Sequence, residues 1–207
     1  MSRGRFIALE GGEGAGKSTQ ARLLAEALRQ RGVEVVLTRE PGGTPGAEAI
    51  RGLLLSQEGE GWNMRAEALL FAAARSDHVE RLIRPSLSAG KWVICDRFLD
   101  SSRAYQGAAG LDDTVIRTLH DLGSGGLLPD LTMLVTVSPE IAAQRLVMRD
   151  QGLSDRIGGR SAAYHAHVAS SFARFAQEEP ERFAVIDGDG APEAIHNRIL
   201  QALERLG

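Results

Sequence analysis

Lysine is scarce in this chain: its 207 residues include only Lys17 and Lys91, beside 22 arginines. Cysteine is scarcer, and a lone Cys95 excludes an internal disulfide; inside "WVIC" it reads as a small core residue. No apolar run reaches membrane-spanning length, and "MSRGRFIALE" lacks both a long apolar core and a small-residue cleavage site. Positive charge is not in excess either, with a formal net charge of −3. That balance argues against duplex DNA or a membrane surface as partner and for a small molecule, and the expected compartment is the cytoplasm. With 43% hydrophobic residues, one ordinary core is expected, so residues 1–207 read as a single domain.

Five short runs are rich in Val, Ile, Leu and Thr: "RFIAL" (5–9), "VEVVLT" (33–38), "WVIC" (92–95), "LTMLVTV" (131–137) and "FAVID" (183–187). Apolar throughout, they suit strands of a parallel sheet covered on both faces. Helical patterns lie between them. "STQARLLAEALRQRG" carries Ala21, Leu24 and Leu28 on one stripe and stops at Gly32. "RAEALLFAAARSDHVERLIRPSL" predicts a long helix bent or broken near Pro85. "SPEIAAQRLVMRD" opens on Ser138 as cap and Pro139 in the first turn, and Tyr164, Val168, Phe172 and Phe175 share a face of the next helix. "PEAIHNRILQALERLG" closes the chain. The expected fold is α/β, a three-layer α/β/α sandwich around a five-stranded parallel sheet with right-handed crossovers. "REPGGTPG" (39–46) and "SQEGEGWN" (56–63) read as loops, and the charged, glycine-rich stretch 149–161 reads as a mobile flap.

The scarce lysine explains itself in "GGEGAGKST". Gly11 to Ser18 fits G-x-x-x-x-G-K-[ST], with a strand before it and a helix after, the context of a P-loop. Glycines clear space for a phosphate, and the backbone N–H groups form an anion nest at a helix N-terminus. Gly11, Gly12, Glu13, Gly14, Ala15, Gly16, Lys17, Ser18 and Thr19 are therefore the expected binding loop for ATP. Lys17 is a compact cation that a bulkier, forked guanidinium would not replace. Ser18 would offer its hydroxyl to Mg²⁺. Asp96, at the end of the apolar strand in "WVICDRF", would reach the same metal through water, and Arg97 beside it falls at the carboxyl end of the sheet, near the phosphates.

Beyond the loop, "FIALEGGEGAGKSTQ", "TREPGGTPGAEAIRGLLL", "EALLFAAARSDHV", "WVICDRFLDSSRAYQG" and "PDLTMLVTVSPEIAAQR" resemble the thymidylate kinases of bacterial type, nucleoside monophosphate kinases with the P-loop NTPase fold and a short lid. The resemblance runs from residue 6 to about 156, and "REPGG", "DRF" and "SSRAYQG" together are far more specific than the P-loop alone. It implies transfer of the γ-phosphoryl of ATP to dTMP, with Mg²⁺, in a protein that is commonly a homodimer. Phe71 and Arg75 are four apart and share a helix face; the resemblance puts the phenylalanine on thymine and the arginine at a base carbonyl. It also implies that Arg39 and Glu40 frame the acceptor pocket and that Arg51 joins Arg97 at the dTMP phosphate. Ser102 and Gln106 fall near the pyrimidine, Tyr105 near the sugar, where it crowds the 2′ position, and Glu13 near the 3′-hydroxyl.

The acceptor oxygen is already anionic, so no general base is needed, and the five histidines share no motif. Positive charge on the transferring group is needed. The resemblance supplies it from the flap pair Asp155-Arg156, making Arg156 the expected catalytic arginine beside Lys17 and Arg97, with Arg160 as a rival. Arg145 and Arg149 would meet adenine or the ATP phosphates, and Asp187-Gly188 the adenine edge. The chain departs from the family at "IGGRSAAY" and "AAGLDD". Another nucleotide, a nucleoside or a small hydroxy compound as acceptor stays open. A guanine switch would carry N-K-x-D, and none occurs.

Overall fold

The computed structural model describes residues 3–150 and 156–206. The chain begins with β1 (Phe6–Glu10), α1 (Lys17–Gln30), β2 (Val35–Arg39), α2 (Pro45–Leu55) and α3 (Met64–His78). A π-helical turn (Val79–Ile83) leads to α4 (Arg84–Ser88), followed by β3 (Trp92–Asp96), α5 (Leu99–Ala108), α6 (Asp113–Ser124) and β4 (Leu131–Thr136). Then come α7 (Pro139–Asp150), α8 (Ala162–Glu178), β5 (Phe183–Asp187) and α9 (Pro192–Leu203). The strands form one sheet in the order β2-β3-β1-β4-β5, with every neighbouring pair parallel. All five expected strands are present.

Alternation along each strand feeds two cores. Ile7 and Leu9 of β1 point to a cluster with Leu24 and Leu28 of α1 and Ile195 and Ile199 of α9. Phe6 and Ala8 point the other way, into a cluster with Val79, Ile83 and Leu87. A strand that serves two cores needs apolar residues at every position, which is why β1 reads as a continuous apolar run. A third cluster joins Phe172 and Phe175 of α8 to Tyr105 and Phe183.

The break expected near Pro85 is present, and two further details differ from the sequence expectations. The long helix is interrupted upstream of Pro85, where the Arg84 N–H reaches back to the carbonyl of Val79 in a widened turn. Proline has no N–H for its own i−4 carbonyl and its ring crowds the preceding turn, so a π turn accommodates it. The stretch expected as a loop over 39–46 ends early: Pro45 begins α2, and Thr44 caps it by accepting from the Ala47 N–H at 3.3 Å. Helix α5 had no legible stripe because Leu99 through Gln106 are all buried, leaving no polar face to set a period. The loops after β1, β2 and β3 meet at the carboxyl edge of the sheet, the usual ligand crevice of this architecture.

Candidate active site

The loop between β1 and α1 takes backbone angles that glycine permits. Gly11 and Gly14 have φ of 141° and 74°. A Cβ on Gly11 would lie 2.3 Å from the carbonyl oxygen of Val135, and one on Gly14 would lie 2.6 Å from that of Ala142. Gly16 caps α1 in the left-handed region without a side-chain oxygen, so the first-turn N–H groups are left to an anion. Lys17 is buried, and its Nζ donates to the Gly12 carbonyl at 2.7 Å. Burial first, and then the nearby Arg97 charge, push its pKa down to about 8.

The Ser18 hydroxyl donates a short hydrogen bond to Asp96 Oδ2, while Asp96 Oδ1 is buried without a partner among the described residues. A hydroxyl and a carboxylate paired in this way, with an oxygen to spare, fit Mg²⁺, which takes its remaining ligands from phosphate and water. Among the described residues no group of three or more His, Cys, Asp or Glu could form an all-protein cage.

Arg97 follows Asp96 with φ of 71°, a left-handed conformation uncommon for a long side chain. Its guanidinium donates to the Gly11 carbonyl at 3.2 Å, Ser101 Oγ at 3.1 Å, Glu13 Oε1 at 2.5 Å and the Tyr105 hydroxyl at 3.3 Å. Burial works against its charge, but Tyr105, Glu13, Asp96 and Glu10 outweigh it and hold the group firmly protonated. The loop that carries it is clamped by Glu10, the last residue of β1. Glu10 accepts from the Phe98 N–H at 2.9 Å, the Ser101 N–H at 3.0 Å and the Ser101 hydroxyl at 2.6 Å, capping α5 from a different element. Complete burial, reinforced by Asp100, pushes the Glu10 pKa up to about 7.

The second wall is built by α3 and α5. Arg75 donates through Nε to Glu40 Oε2 at 2.7 Å and through Nη2 to Ser102 Oγ at 2.9 Å. His78 bonds Glu40 Oε1 at 3.0 Å through Nδ1 and Thr38 Oγ1 at 2.7 Å through Nε2. Burial opposes the Glu40 charge, yet Arg75 and then His78 hold its carboxyl below the usual range. Arg39 pairs with Glu48, and Arg51 donates to the Pro41 carbonyl at 2.8 Å.

These groups enclose a cavity of about 420 Å³. All ten residues expected on the acceptor side line it: Glu13, Arg39, Glu40, Arg51, Phe71, Arg75, Arg97, Ser102, Tyr105 and Gln106, together with Lys17, Ser18 and Asp96. Arg145 bridges the phosphate loop and the turn after β5, donating to the Ala15 carbonyl at 3.4 Å and the Gly188 carbonyl at 2.9 Å. The Asp187 carboxylate is exposed and lies 3.4 Å from Arg198.

Arg156, expected at the transferring phosphoryl, is placed elsewhere. It does not line the cavity, and its guanidinium donates to the carbonyls of Ser56, Glu58 and Gly59 at 2.7, 2.8 and 3.2 Å. Gly61 lets it lie there, since a Cβ on that glycine would fall 2.1 Å from Arg156 Nη1. Arg160 pairs with Glu67. The Arg149 side chain and Asp155 lie outside the described residues.

Sequence reasoning missed Glu10, Thr38, Glu67, His78 and Ser101. A signal existed for two of them: Glu67, Phe71, Arg75 and His78 recur at helical spacing on one face of α3.

Comparison with known proteins comes down on one side. The thymidylate kinase family profile matches residues 9–199. A thymidylate kinase of Rhizorhabdus wittichii is 58% identical over 204 residues, covering 98% of each chain. One from a Bradyrhizobium species is 47% identical, covering 99% of this chain and 92% of that one. The crystal structure of thymidylate kinase from Ehrlichia chaffeensis superposes with a TM-score of 0.80 at 35% identity, covering 97% of this chain and 99% of the other.

Proposed function

The chain belongs to the thymidylate kinase family, and from that premise we propose how its residues carry a phosphoryl group from ATP to dTMP. The chain is an enzyme, and ATP is the family's phosphoryl donor. The observation that carries the residue-level reading is convergence: the lysine of the phosphate loop and the aromatic, arginine and amide groups of α3 and α5 face one cavity.

The ATP phosphates lie in the loop 11–19, on its main-chain N–H groups, with Lys17 against the outer phosphates. Adenine lies toward Arg145 and the turn after Asp187, with Arg149 nearby. The thymine of dTMP stacks on Phe71, with Arg75 at a base carbonyl and Ser102 and Gln106 at its edge. Stacking of this kind is worth about 1–3 kcal/mol. Arg39 and Glu40 frame the pocket. Arg97 and Arg51 take the acceptor phosphate, which each can fork with two parallel hydrogen bonds. Glu13 then faces the 3′-hydroxyl, and Tyr105 excludes a 2′-hydroxyl. Ser18 and, through water, Asp96 would hold Mg²⁺, which would supply charge neutralisation at the phosphates. The attacking oxygen is a phosphate oxygen, ionised near neutral pH, so the chain's own task is alignment and electrostatic stabilisation rather than proton removal.

The stretch 149–161 acts as a lid on a single kinase domain, and Arg156 reaches the phosphoryl group by leaving the carbonyls of Ser56, Glu58 and Gly59. Closure would exclude water and suppress hydrolysis of ATP. The protein works in the cytoplasm as a homodimer. The dimer reading is supported by exposed Leu53, Leu69, Val115 and Leu122 on the neighbouring helices α2, α3 and α6. Light scattering should give twice the chain mass, and Leu122→Glu should shift it to one.

An ADP-release assay with dTMP, dUMP, UMP, dCMP and thymidine at equal concentration tests the function. Turnover should be fastest with dTMP. Preference for thymidine or a ribonucleotide would refute the assigned acceptor.

A further inference from the structure

Helices α3 and α5 face each other across the cavity through two rungs. One rung is Arg75 to Ser102, at 2.9 Å. The other is Gln106 to Glu67: Gln106 Nε2 donates to Glu67 Oε1 at 3.0 Å. Phe71 lies between Glu67 and Arg75 on α3. Glu67 is buried, and its second oxygen accepts a short ion-pair hydrogen bond from Arg160. Arg160 also donates to the Tyr164 hydroxyl at 2.6 Å, which in turn donates to the Tyr105 carbonyl at 2.7 Å.

An ionised carboxylate only accepts hydrogen bonds. Glu67 therefore dictates which way the Gln106 amide turns: the NH₂ faces α3, and the carbonyl oxygen is left. That oxygen is buried without a partner among the described residues, in a side chain that lines the cavity. An unmet buried acceptor calls for a donor from the ligand.

We propose that Glu67, held by Arg160, is a positioning residue for acceptor specificity, fixing Gln106 so that its carbonyl oxygen meets a ring N–H of the base. The inference rests on the reading above that the cavity takes a nucleotide base. Thymine and uracil offer an N3–H donor beside the O4 acceptor. Cytosine offers the reverse, a bare N3 beside an amino group. A fixed acceptor at Gln106 near the donor Arg75 suits the first pattern and repels the second.

The test compares kcat/KM for dTMP and dCMP in the full chain. Glu67→Gln is isosteric, and its amide can donate to the Gln106 oxygen, releasing the NH₂ toward the base. The dTMP-over-dCMP ratio should fall about tenfold or more, mainly through a higher KM for dTMP, with the KM for ATP unchanged. Combined with Gln106→Leu it should cost no more than Gln106→Leu alone, an outcome a merely structural role would not give. An unchanged ratio, or losses that multiply, overturns the inference. Should Glu67→Gln not fold, the exchange Glu67→Gln with Gln106→Glu carries the test. It again turns an acceptor to the base and should keep the dTMP preference, and a preference for dCMP overturns the proposal. Wild-type protein inactive on dTMP would instead remove the functional reading itself.

Discussion

Arg97 and Glu13 form a closed ion pair between the loop after β3 and the phosphate loop, with Nη2 standing 2.5 Å from Oε1. Both side chains are mostly buried, and the Tyr105 hydroxyl donates to the same Glu13 oxygen at 3.2 Å. On the proposed assignment, an incoming acceptor phosphate would compete with Glu13 for Arg97, and the Glu13 carboxylate would accept from a sugar hydroxyl in place of part of that pair. Substrate binding would then be an exchange of partners rather than a capture by idle charges.

Replacing Arg97 by alanine should therefore lower kcat/KM for dTMP by about 100-fold, the worth of two or so charge-assisted hydrogen bonds. ATP affinity should change far less. Steady-state kinetics with each substrate varied in turn would separate the two, and an equal loss for both would contradict the assignment of Arg97 to the acceptor.

Lys17 has its pKa pushed down to about 8, chiefly by burial. A group neutral above that pH cannot attract phosphate, while bound ATP favours its charged form. ATP affinity should weaken as pH rises through 8, and binding near that pH should take up protons. Calorimetry in two buffers of different ionisation enthalpy measures the uptake. Lys17→Ala should abolish both the uptake and turnover.

Glu10 carries the opposite kind of shift. Its folded pKa of about 7 lies above the ordinary 4.5. Between those values the folded chain holds a proton that the unfolded chain has lost, so this group's contribution to stability falls as pH rises from 4.5 through 7. His120 runs the other way: burial, then Arg75, push it down to about 4 from 6.5, so its contribution is lost as pH falls below 6.5. In Glu10→Gln the amide oxygen still accepts from the Phe98 and Ser101 N–H groups, the Ser101 hydroxyl that donates to Oε2 must turn to accept from the NH₂, and the titration disappears. The variant should gain on wild type as pH rises, by up to about 3 kcal/mol at pH 7. Urea melts at pH 5 and 7 would show it, and a constant difference would refute it.

Arg156 and Arg160 make separable predictions. Arg156→Ala should lower kcat by about 10³-fold or more while leaving the KM for dTMP near its wild-type value. Arg160→Ala should leave a buried Glu67 without its cation and raise the KM for dTMP. If the two phenotypes are interchanged, Arg160 is the transferring arginine.

Much of this was legible in the residues. The strands showed because burial on both faces demands unbroken apolar runs, as in "LTMLVTV". Lys17 and Ser18 showed because a phosphate nest needs its groups contiguous. Helical spacing put Phe71 and Arg75 on one face, and the resemblance of "EALLFAAAR" to the family assigned that face to the acceptor pocket. Glu10, His78 and Glu67 did not stand out because what they do lies in partners far along the chain: Ser101 for Glu10, Thr38 for His78, Gln106 for Glu67. Arg156 was expected at the phosphates, but the chain around it does not reveal that three carbonyls of the loop after α2 compete for the same guanidinium.

The positive φ of Arg97 has an evolutionary corollary. At that position the main chain would be more comfortable with glycine, while the chemistry calls for a guanidinium. Arg97→Gly would relax that backbone but leave the mostly buried Glu13 without the Arg97 cation, so even selection for heat tolerance alone should retain the arginine, and the strained turn is kept by its partners as much as by thymidylate turnover.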